Sequence, residues 1–277
     1  MPIVTDDSLW REIVAGGQLD GHPLRYIASV DSTNTLALSL GRAGEKTGTV
    51  VVADTQTGGR GRLGKSWLSP PGAGLYASII LRPDLPVKGL SSLTLAAGLA
   101  AAKAIEQVCD LRTGIKWPND VLLAGRKAAG VLVECDLSGA APLLVLGLGI
   151  NLTTREAEFP PELRGGRATS LLLASGKAVG RGAMLKALLA AVEWTMARME
   201  QEDFAGILED WRTRDVTLGR SLAWLTVDGQ VVAGVSLGPD QEGRLLIRDR
   251  EGRCHQALSG AIELDPSTLS GYFPESP

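Results

Sequence analysis

The chain has 277 residues, of which 44% are hydrophobic, 21% charged and 4% aromatic, and its net charge is −3. This is the balance of a globular protein, long enough for one large domain plus a small one, and it excludes a disordered or collagen-like chain. The mild acidity offers no broad basic face, so no DNA partner is expected.

Residues 1–21 carry Asp6, Asp7 and Glu12 without a long apolar run, which does not read as a signal peptide. Asp31 or Ser32 suits an N-cap ahead of a short helix over 35–40. Residues 49–53 (TVVVA) predict a buried strand, 57–65 a glycine-rich loop, Pro70-Pro71-Gly72 a turn and 75–81 (LYASIIL) a second strand. Leu90, Leu93, Ala97, Ala100, Ala101, Ala104 and Val108 recur at helical spacing, predicting a helix over 91–108. Its most apolar part, 93–105, is interrupted by Lys103 and is too short to cross a bilayer, so no membrane association is expected. Residues 112–152 read mostly as strand. Within them 121–123 and 130–134 flank a Gly125-Arg126-Lys127 turn, and 142–150 (PLLVLGLGI) is too apolar to face water.

From 168 to 212 the pattern is helical, with Leu185, Leu188, Leu189, Val192, Met196 and Met199 on one face. Beyond Arg214, short runs at 222–227, 231–237 and 245–248 alternate with glycine turns, as in a small SH3-like β-barrel. The expected division is 1–214 and 215–277. Cys109, Cys135 and Cys254 are odd in number, widely spaced and without a CxxC pair. They suggest neither disulfides nor a zinc site, and they suit a reducing cytoplasm.

The densest chemistry is the loop Gly58-Gly59-Arg60-Gly61-Arg62-Leu63-Gly64-Lys65-Ser66-Trp67. Residues 59–66 satisfy GxxxxGK[ST], but a phosphate-binding P-loop needs a strand ending at its first glycine and a helix starting near its lysine. Here the predicted strand ends near Ala53, and Pro70-Pro71 oppose a helix after Lys65. A plain surface loop is one alternative. Another is a loop that is disordered until it closes over an anion, with Arg60, Arg62 and Lys65 as its cations. Lys116-Trp117-Pro118-Asn119-Asp120 reads as a polar turn with a packed tryptophan, and Lys127 alone would be a solvated hairpin lysine. His22 and His255 lie outside these clusters and read as structural or surface residues.

Taken together and in order, Asp31-Ser32-Thr33-Asn34, GGRGRLGKSW, KWPNDVLL, KAAGVLVE (127–134) and GLGINL (147–152) resemble the biotin–protein ligases. The resemblance runs from about Tyr26 to the C-terminal barrel. It implies an α+β fold like that of class II aminoacyl-tRNA synthetases: a mixed, largely antiparallel sheet flanked by helices, with the SH3-like barrel behind it. It also implies an ATP-dependent ligase that forms biotinyl-5′-AMP from biotin and ATP, aided by Mg2+. Biotin then passes to one lysine of a biotin carboxyl carrier protein, such as that of acetyl-CoA carboxylase. A homodimer is compatible with it.

The same resemblance implies residue roles. Ser32, Thr33, Asn34, Gln56, Arg60, Gly61, Arg62 and Lys127 would hold biotin. Arg60, Arg62, Trp67, Lys116, Asn119, Asp120, Lys127 and Asn151 would surround ATP, with Asp120 toward the metal. Arg62, Lys116 and Lys127 would be the catalytic cations, and Arg62 would also retain the adenylate. Some members carry an N-terminal winged helix-turn-helix; with the first motif at Asp31, the non-regulatory type is expected. Two alternatives remain. One is a lipoate or octanoate ligase on the same scaffold, which would lack the GRGR loop. The other is a biotin-binding regulator without turnover, distinguished by whether pyrophosphate is released.

Overall fold

The computed structural model describes residues 8–83, 90–139, 141–201, 203–226 and 228–264. The chain opens with α1 (Ser8–Gly16), β1 (Gln18–Leu19), β2 (His22–Val30), α2 (Thr33–Arg42), β3 (Val50–Gln56), β4 (Gly74–Leu81) and α3 (Leu90–Cys109). Next come β5 (Gly114–Lys116), β6 (Asp120–Leu123), β7 (Arg126–Asp136), β8 (Leu143–Asn151), α4 (Leu171–Ser175), α5 (Arg181–Glu200) and α6 (Phe204–Arg212). The last stretch holds β9 (Ser221–Leu225), β10 (Val231–Pro239), β11 (Leu245–Arg248), β12 (Cys254–Ala257) and β13 (Ala261–Leu264). The expected acidic residues Asp6 and Asp7, the side chain of Leu90 and Val227 at the end of a predicted strand lie outside the described residues.

The first eight strands form one sheet in the order β1-β2-β3-β4-β8-β7-β6-β5. Its pairs are antiparallel except β2–β3, so the sheet is mixed and largely antiparallel as expected. Side chains alternate between the two faces of a strand, so each strand's sequence fixes what can cover it. In β8, Leu146, Leu148 and Ile150 point into the main core, which includes Leu95, Leu99 and Ile105 of α3 and Leu185, Leu188 and Val192 of α5. On the other face, Val145 and Leu143 pack beneath α2 with Ala37, Val51 and Ile80 in a much smaller core. Beyond that small core the same face of β8 continues as Gly147, Gly149 and Asn151, and Gly149 is paired with Gly130 of β7. One face of the sheet therefore packs against helices and the C-terminal strands in the large core, while on the other only a small apolar core lies beneath α2.

Several expectations need correction. The β6–β7 turn is Ala124-Gly125, with positive φ angles of 46° and 77°, the backbone of a tight two-residue hairpin. Arg126 and Lys127 already belong to β7. The strand expected at 49–53 continues to Gln56, and the helical stretch at 168–212 is three helices, with Gly176 left-handed after α4 and Asp203 capping α6. As the prolines at 70 and 71 predict, no helix follows Lys65, which is extended, and the loop is not a P-loop. Helix α1, the strands flanking Asp20-Gly21, and β12 and β13 are elements beyond those expected from the sequence. Among the described residues no helix is long and apolar enough to cross a membrane.

The last five strands form a separate antiparallel sheet, ordered β12-β11-β10-β9-β13. It is fastened beside β5. Ile115 N donates to Arg214 O at 2.6 Å, Val216 N donates to Ile115 O at 3.1 Å, and Trp117 Nε1 donates to Gly243 O at 3.0 Å. Leu222, Leu245, Ile247 and Ile262 join the main core. At this junction Asp215 is buried, its Oδ1 accepting from the Thr217 amide and hydroxyl while Oδ2 has no hydrogen-bond donor among the described residues.

Burial pushes the Asp215 carboxyl above the usual carboxylate range, against the hydrogen bonds from Thr217. As pH rises past the ordinary carboxylate value, the unfolded chain loses this proton before the folded one, so stability falls across that window. Asp215→Asn removes the effect. Melting temperatures measured from pH 4 to 7 should show the variant gaining on the native chain as pH rises; a difference independent of pH would contradict this assignment.

Candidate active site

Asn34 sits at the start of α2 because Ser32, in the N-cap position with φ −153°, turns the chain into the helix. The Ser32 hydroxyl makes no capping bond, and Asp31 Oδ1 instead accepts from the Ser32 amide at 2.7 Å. Ser32, Thr33 and Asn34 are all buried. Thr33 N donates to Gln56 Oε1 at 2.9 Å, and the Thr33 hydroxyl lies 3.1 Å from the same oxygen. Ser78 Oγ lies 2.8 Å from Thr33 Oγ1 and 2.6 Å from Asn34 Oδ1. A hydroxyl has one proton, and the Asn34 carbonyl can only accept, so that proton goes to Asn34. Gln56 Nε2 continues the chain to Ser69 Oγ at 2.8 Å. The predicted residues Thr33, Asn34 and Gln56 thus join Ser78 and Ser69 in one polar floor, with the buried Ser32 preceding them at the N-cap.

The glycine loop is an ordered hairpin rather than an open coil. Trp67 N donates to Gly59 O at 2.8 Å, Gly61 N donates to Lys65 O at 2.7 Å, and Arg60 bridges to Ser66. Its tip, Arg62–Gly64, is a short 3-10 turn in which Leu63 has φ 55°. Gly59 is required by space: a Cβ there would lie 2.5 Å from Trp67 O. The hairpin lays the Trp67 ring on the bare face of the sheet. A Cβ at Gly149 would come within 2.4 Å of that ring, and one at Gly130 within 3.0 Å. Likewise a Cβ at Gly147 would lie 2.1 Å from Asn34 Oδ1. The three glycines leave a trough in which Asn34 and Trp67 fit.

Cations gather at the other end of the trough. Lys127 Nζ pairs with Asp120 Oδ1 at 2.6 Å and lies 5.3 Å from the centre of the Trp67 ring. Arg62 approaches Asn119 Oδ1 at 3.5 Å and stands 6.0 Å from the Trp117 ring. Asn119 is fixed by its bond from Nδ2 to Val131 O at 2.7 Å. Burial lowers the pKa of Lys116; Asp120 opposes this, whereas Lys127 and Lys65 add like-charge repulsion and Glu263 of β13 offsets it. Burial likewise lowers that of Arg62, again opposed by Asp120. A half-buried group of cations with one central carboxylate is poised to accept anionic charge, because each added anion relieves both repulsion and desolvation.

The remaining predicted residues fall nearby. Asn151 is buried, and its Nδ2 donates to Thr169 O at 3.0 Å, tying down a segment that runs beside Lys127. Arg60 faces away from the cation group and pairs with Glu134 at 2.8 Å. Two further residues at the site, Ser78 and Glu134, carry no individual role in the sequence motifs. A serine within an otherwise apolar strand was the available signal for the first. Outside the site, His22 bonds Gly48 O and Glu193, and His255 bonds Asp249, consistent with structural or surface roles. The three cysteines are free.

The site can be compared with known proteins. Residues 26–151 match the model of the biotin/lipoate A/B protein ligase family. The chain is 34% identical to the biotin–[acetyl-CoA-carboxylase] ligase of Mycobacterium tuberculosis, covering 93% of this chain and 94% of that protein. It is 36% identical to the bifunctional ligase/repressor BirA of Bacillus subtilis, over 88% of this chain and 74% of that one. The biotin protein ligase of Aquifex aeolicus, solved in complex with biotin and ATP, superposes with a TM-score of 0.76 at 33% identity, covering 87% of this chain and 98% of that one. With matches of this extent, the chain belongs to the biotin–protein ligase family.

Proposed function

We propose that the chain is a biotin–protein ligase, an ATP-dependent enzyme that activates biotin and attaches it to a carrier lysine. In the first step a biotin carboxylate oxygen bonds to the α-phosphorus of ATP, the bond to the bridging oxygen breaks, and pyrophosphate leaves. In the second, the neutral amine of the carrier lysine attacks the acyl carbon of biotinyl-5′-AMP, AMP leaves, and the amine gives up a proton. The carrier is a biotin-carrying carboxylase subunit, in keeping with the name of the Mycobacterium tuberculosis relative.

The observation that carries this reading is the trough itself, with a polar floor at one end and Arg62, Lys116 and Lys127 around Asp120 at the other. The first step brings a carboxylate up to a triphosphate, and cations preorganised where charge builds up lower that barrier. Lys127 would bind the carboxylate and the α-phosphate. Lys116, Arg62 and Asn119 would hold the phosphates, and Arg62 would also retain the adenylate. Ser32, Thr33, Asn34, Gln56, Arg60 and Gly61 would hold biotin. Trp67 would shape the nucleotide side; its buried indole N–H has no acceptor among the described residues, which suits a ligand group there. Asn151 would border the nucleotide.

Mg2+ binds through one or two carboxylates plus substrate phosphates rather than a dedicated protein cage. Asp120 fits that pattern: it is the carboxylate beside Arg62, Lys116 and Lys127, and among the described residues no cluster of three ligating side chains offers a cage. It would hold an ion that neutralises phosphate charge. We further infer a catalytic part at 1–214, class II synthetase-like in its sheet, and a C-terminal part at 215–277. The last sheet, with β13 returning beside β9, supports an SH3-like barrel. Free cysteines favour the cytoplasm, and a homodimer is compatible with the family.

Two predictions test the reading. Purified chain given biotin, ATP and magnesium should release pyrophosphate, and a carboxylase carrier should then acquire biotin on one lysine. Release with lipoate or octanoate but not biotin would move the chain to the neighbouring activity, and biotin binding without any release would make it a sensor. Lys127→Ala should slow adenylate formation by roughly two orders of magnitude or more in single-turnover assays. A loss under about tenfold would remove Lys127 from the reaction centre.

A further inference from the structure

Glu134 ties the two halves of the polar floor together through a single oxygen. Its Oε2 accepts from Asn34 Nδ2 at 2.8 Å and from Arg60 Nη2 at 2.8 Å. Asn34 belongs to the start of α2, whereas Arg60 belongs to the glycine hairpin, so this carboxylate is where hairpin and floor meet. Asn34 Nδ2 also lies 3.3 Å from Leu132 O, and Asn34 Oδ1 accepts from Ser78 at 2.6 Å.

An ionised carboxylate accepts and never donates. Set against Asn34 at 2.8 Å, it joins the more distant Leu132 carbonyl in setting which end of that amide faces β7: the NH2 turns toward Glu134 and the carbonyl toward Ser78. Both amide protons are taken up within the protein. What Asn34 has left for a ligand is the second lone pair of Oδ1, which makes it an acceptor. The side chain has little freedom to turn otherwise, because it is buried and lies against Gly147. Along β7 the Lys127 ammonium reaches Gly130, 3.4 Å from where a Cβ would stand, whereas the Asn34 amide meets Leu132 O and, farther on, Glu134. Glu134 therefore stands at the end of the trough away from the cations, where a ligand whose acid group meets Lys127 would place its other end.

The geometry points to Glu134 as a positioning residue for biotin. It fixes the Asn34 amide as an acceptor for an N–H of the ligand's cyclic urea, and it holds Arg60 so that the hairpin stays fastened over that ring. This rests on the reading of the chain as a biotin ligase. Glu134 touches no reacting atom, and its effect should fall on biotin rather than on ATP.

The test is steady-state pyrophosphate release by the full chain, with biotin and ATP varied separately, for the native protein, Glu134→Gln, Arg60→Ala and the double variant. Glutamine keeps the size of the side chain but loses the charge that pairs with Arg60, and it can turn an NH2 against that of Asn34. The KM for biotin should rise about tenfold or more in Glu134→Gln, while that for ATP moves by less than about twofold. The double variant should fall well short of the product of the two single losses, because both remove one shared interaction. Should Glu134→Gln fail to fold, Asn34→Asp sets two carboxylates against each other and should raise the biotin KM in the same selective way. The pair N34D/E134Q, which restores an acceptor facing a donor, should recover part of that loss. No pyrophosphate from the native chain would overturn the ligase reading itself. Release by the native chain together with an unchanged biotin KM in Glu134→Gln, or equal rises for biotin and ATP, would overturn the role of Glu134 alone.

Discussion

A sheet face without side chains is the constraint on which this molecule depends. On the α2 side, β8 carries Leu143 and Val145 beneath the helix; farther along, Gly147 leaves room only for the Asn34 side chain at the start of α2, and Gly130 and Gly149 face the Trp67 ring. Interiors pack too densely to leave such a surface open without something to fill it. Here Asn34 and the Trp67 ring fill part of it, at separations that a single added methyl group would violate. The loop, the floor and the cations are arranged around that trough. Losing it would disorganise all three without touching the large core on the opposite face.

The second constraint is electrostatic. Lys116 and Arg62 are drawn far enough inside for burial to weaken their hold on protons, and Asp120 only partly offsets this. In a folded chain such crowding of cations costs stability, and it is tolerated where it stabilises a negatively charged ligand. The C-terminal sheet contributes to the same end. The Trp117 indole donates to Gly243 O, and β5 is bonded to residues 214–216, so the loop that carries Lys116, Asn119 and Asp120 is clamped from behind. A role for the sheet in holding this loop follows from those bonds.

How much the sequence disclosed depended on the kind of signal. The continuous apolar run of β8 and the helical spacing of α3 announced themselves, because a strand buried on both faces and a helix with one buried face each restrict the residue types. The five motifs located the site because its chemistry needs glycines and cations in fixed order. The expected turn took in Arg126 and Lys127 because it was started at Gly125, whereas the two-residue hairpin is Ala124-Gly125 and β7 already begins at Arg126. The glycine hairpin reads from sequence as a surface loop or as a loop ordered only by an anion, because cross-strand bonds such as Gly61 N to Lys65 O leave no mark on composition. Glu134 and Ser78 were unreadable as partners of Asn34: their contacts span 100 and 44 residues, and only the register of the sheet brings them together. The short strands β12 and β13 gave too few residues for a period to show.

The most direct test of the trough is calorimetric titration of biotin into Gly149→Ala beside the native chain. The added methyl would meet the Trp67 ring, while the backbone of β8, whose φ at this position is not in the left-handed region, accepts alanine without strain. Biotin affinity should fall by about tenfold or more, with circular dichroism showing the sheet intact, since overpacking of this kind costs roughly 1–3 kcal/mol. Affinity unchanged in a folded variant would contradict the claim that this bare strand face is what the ligand and its covering hairpin require.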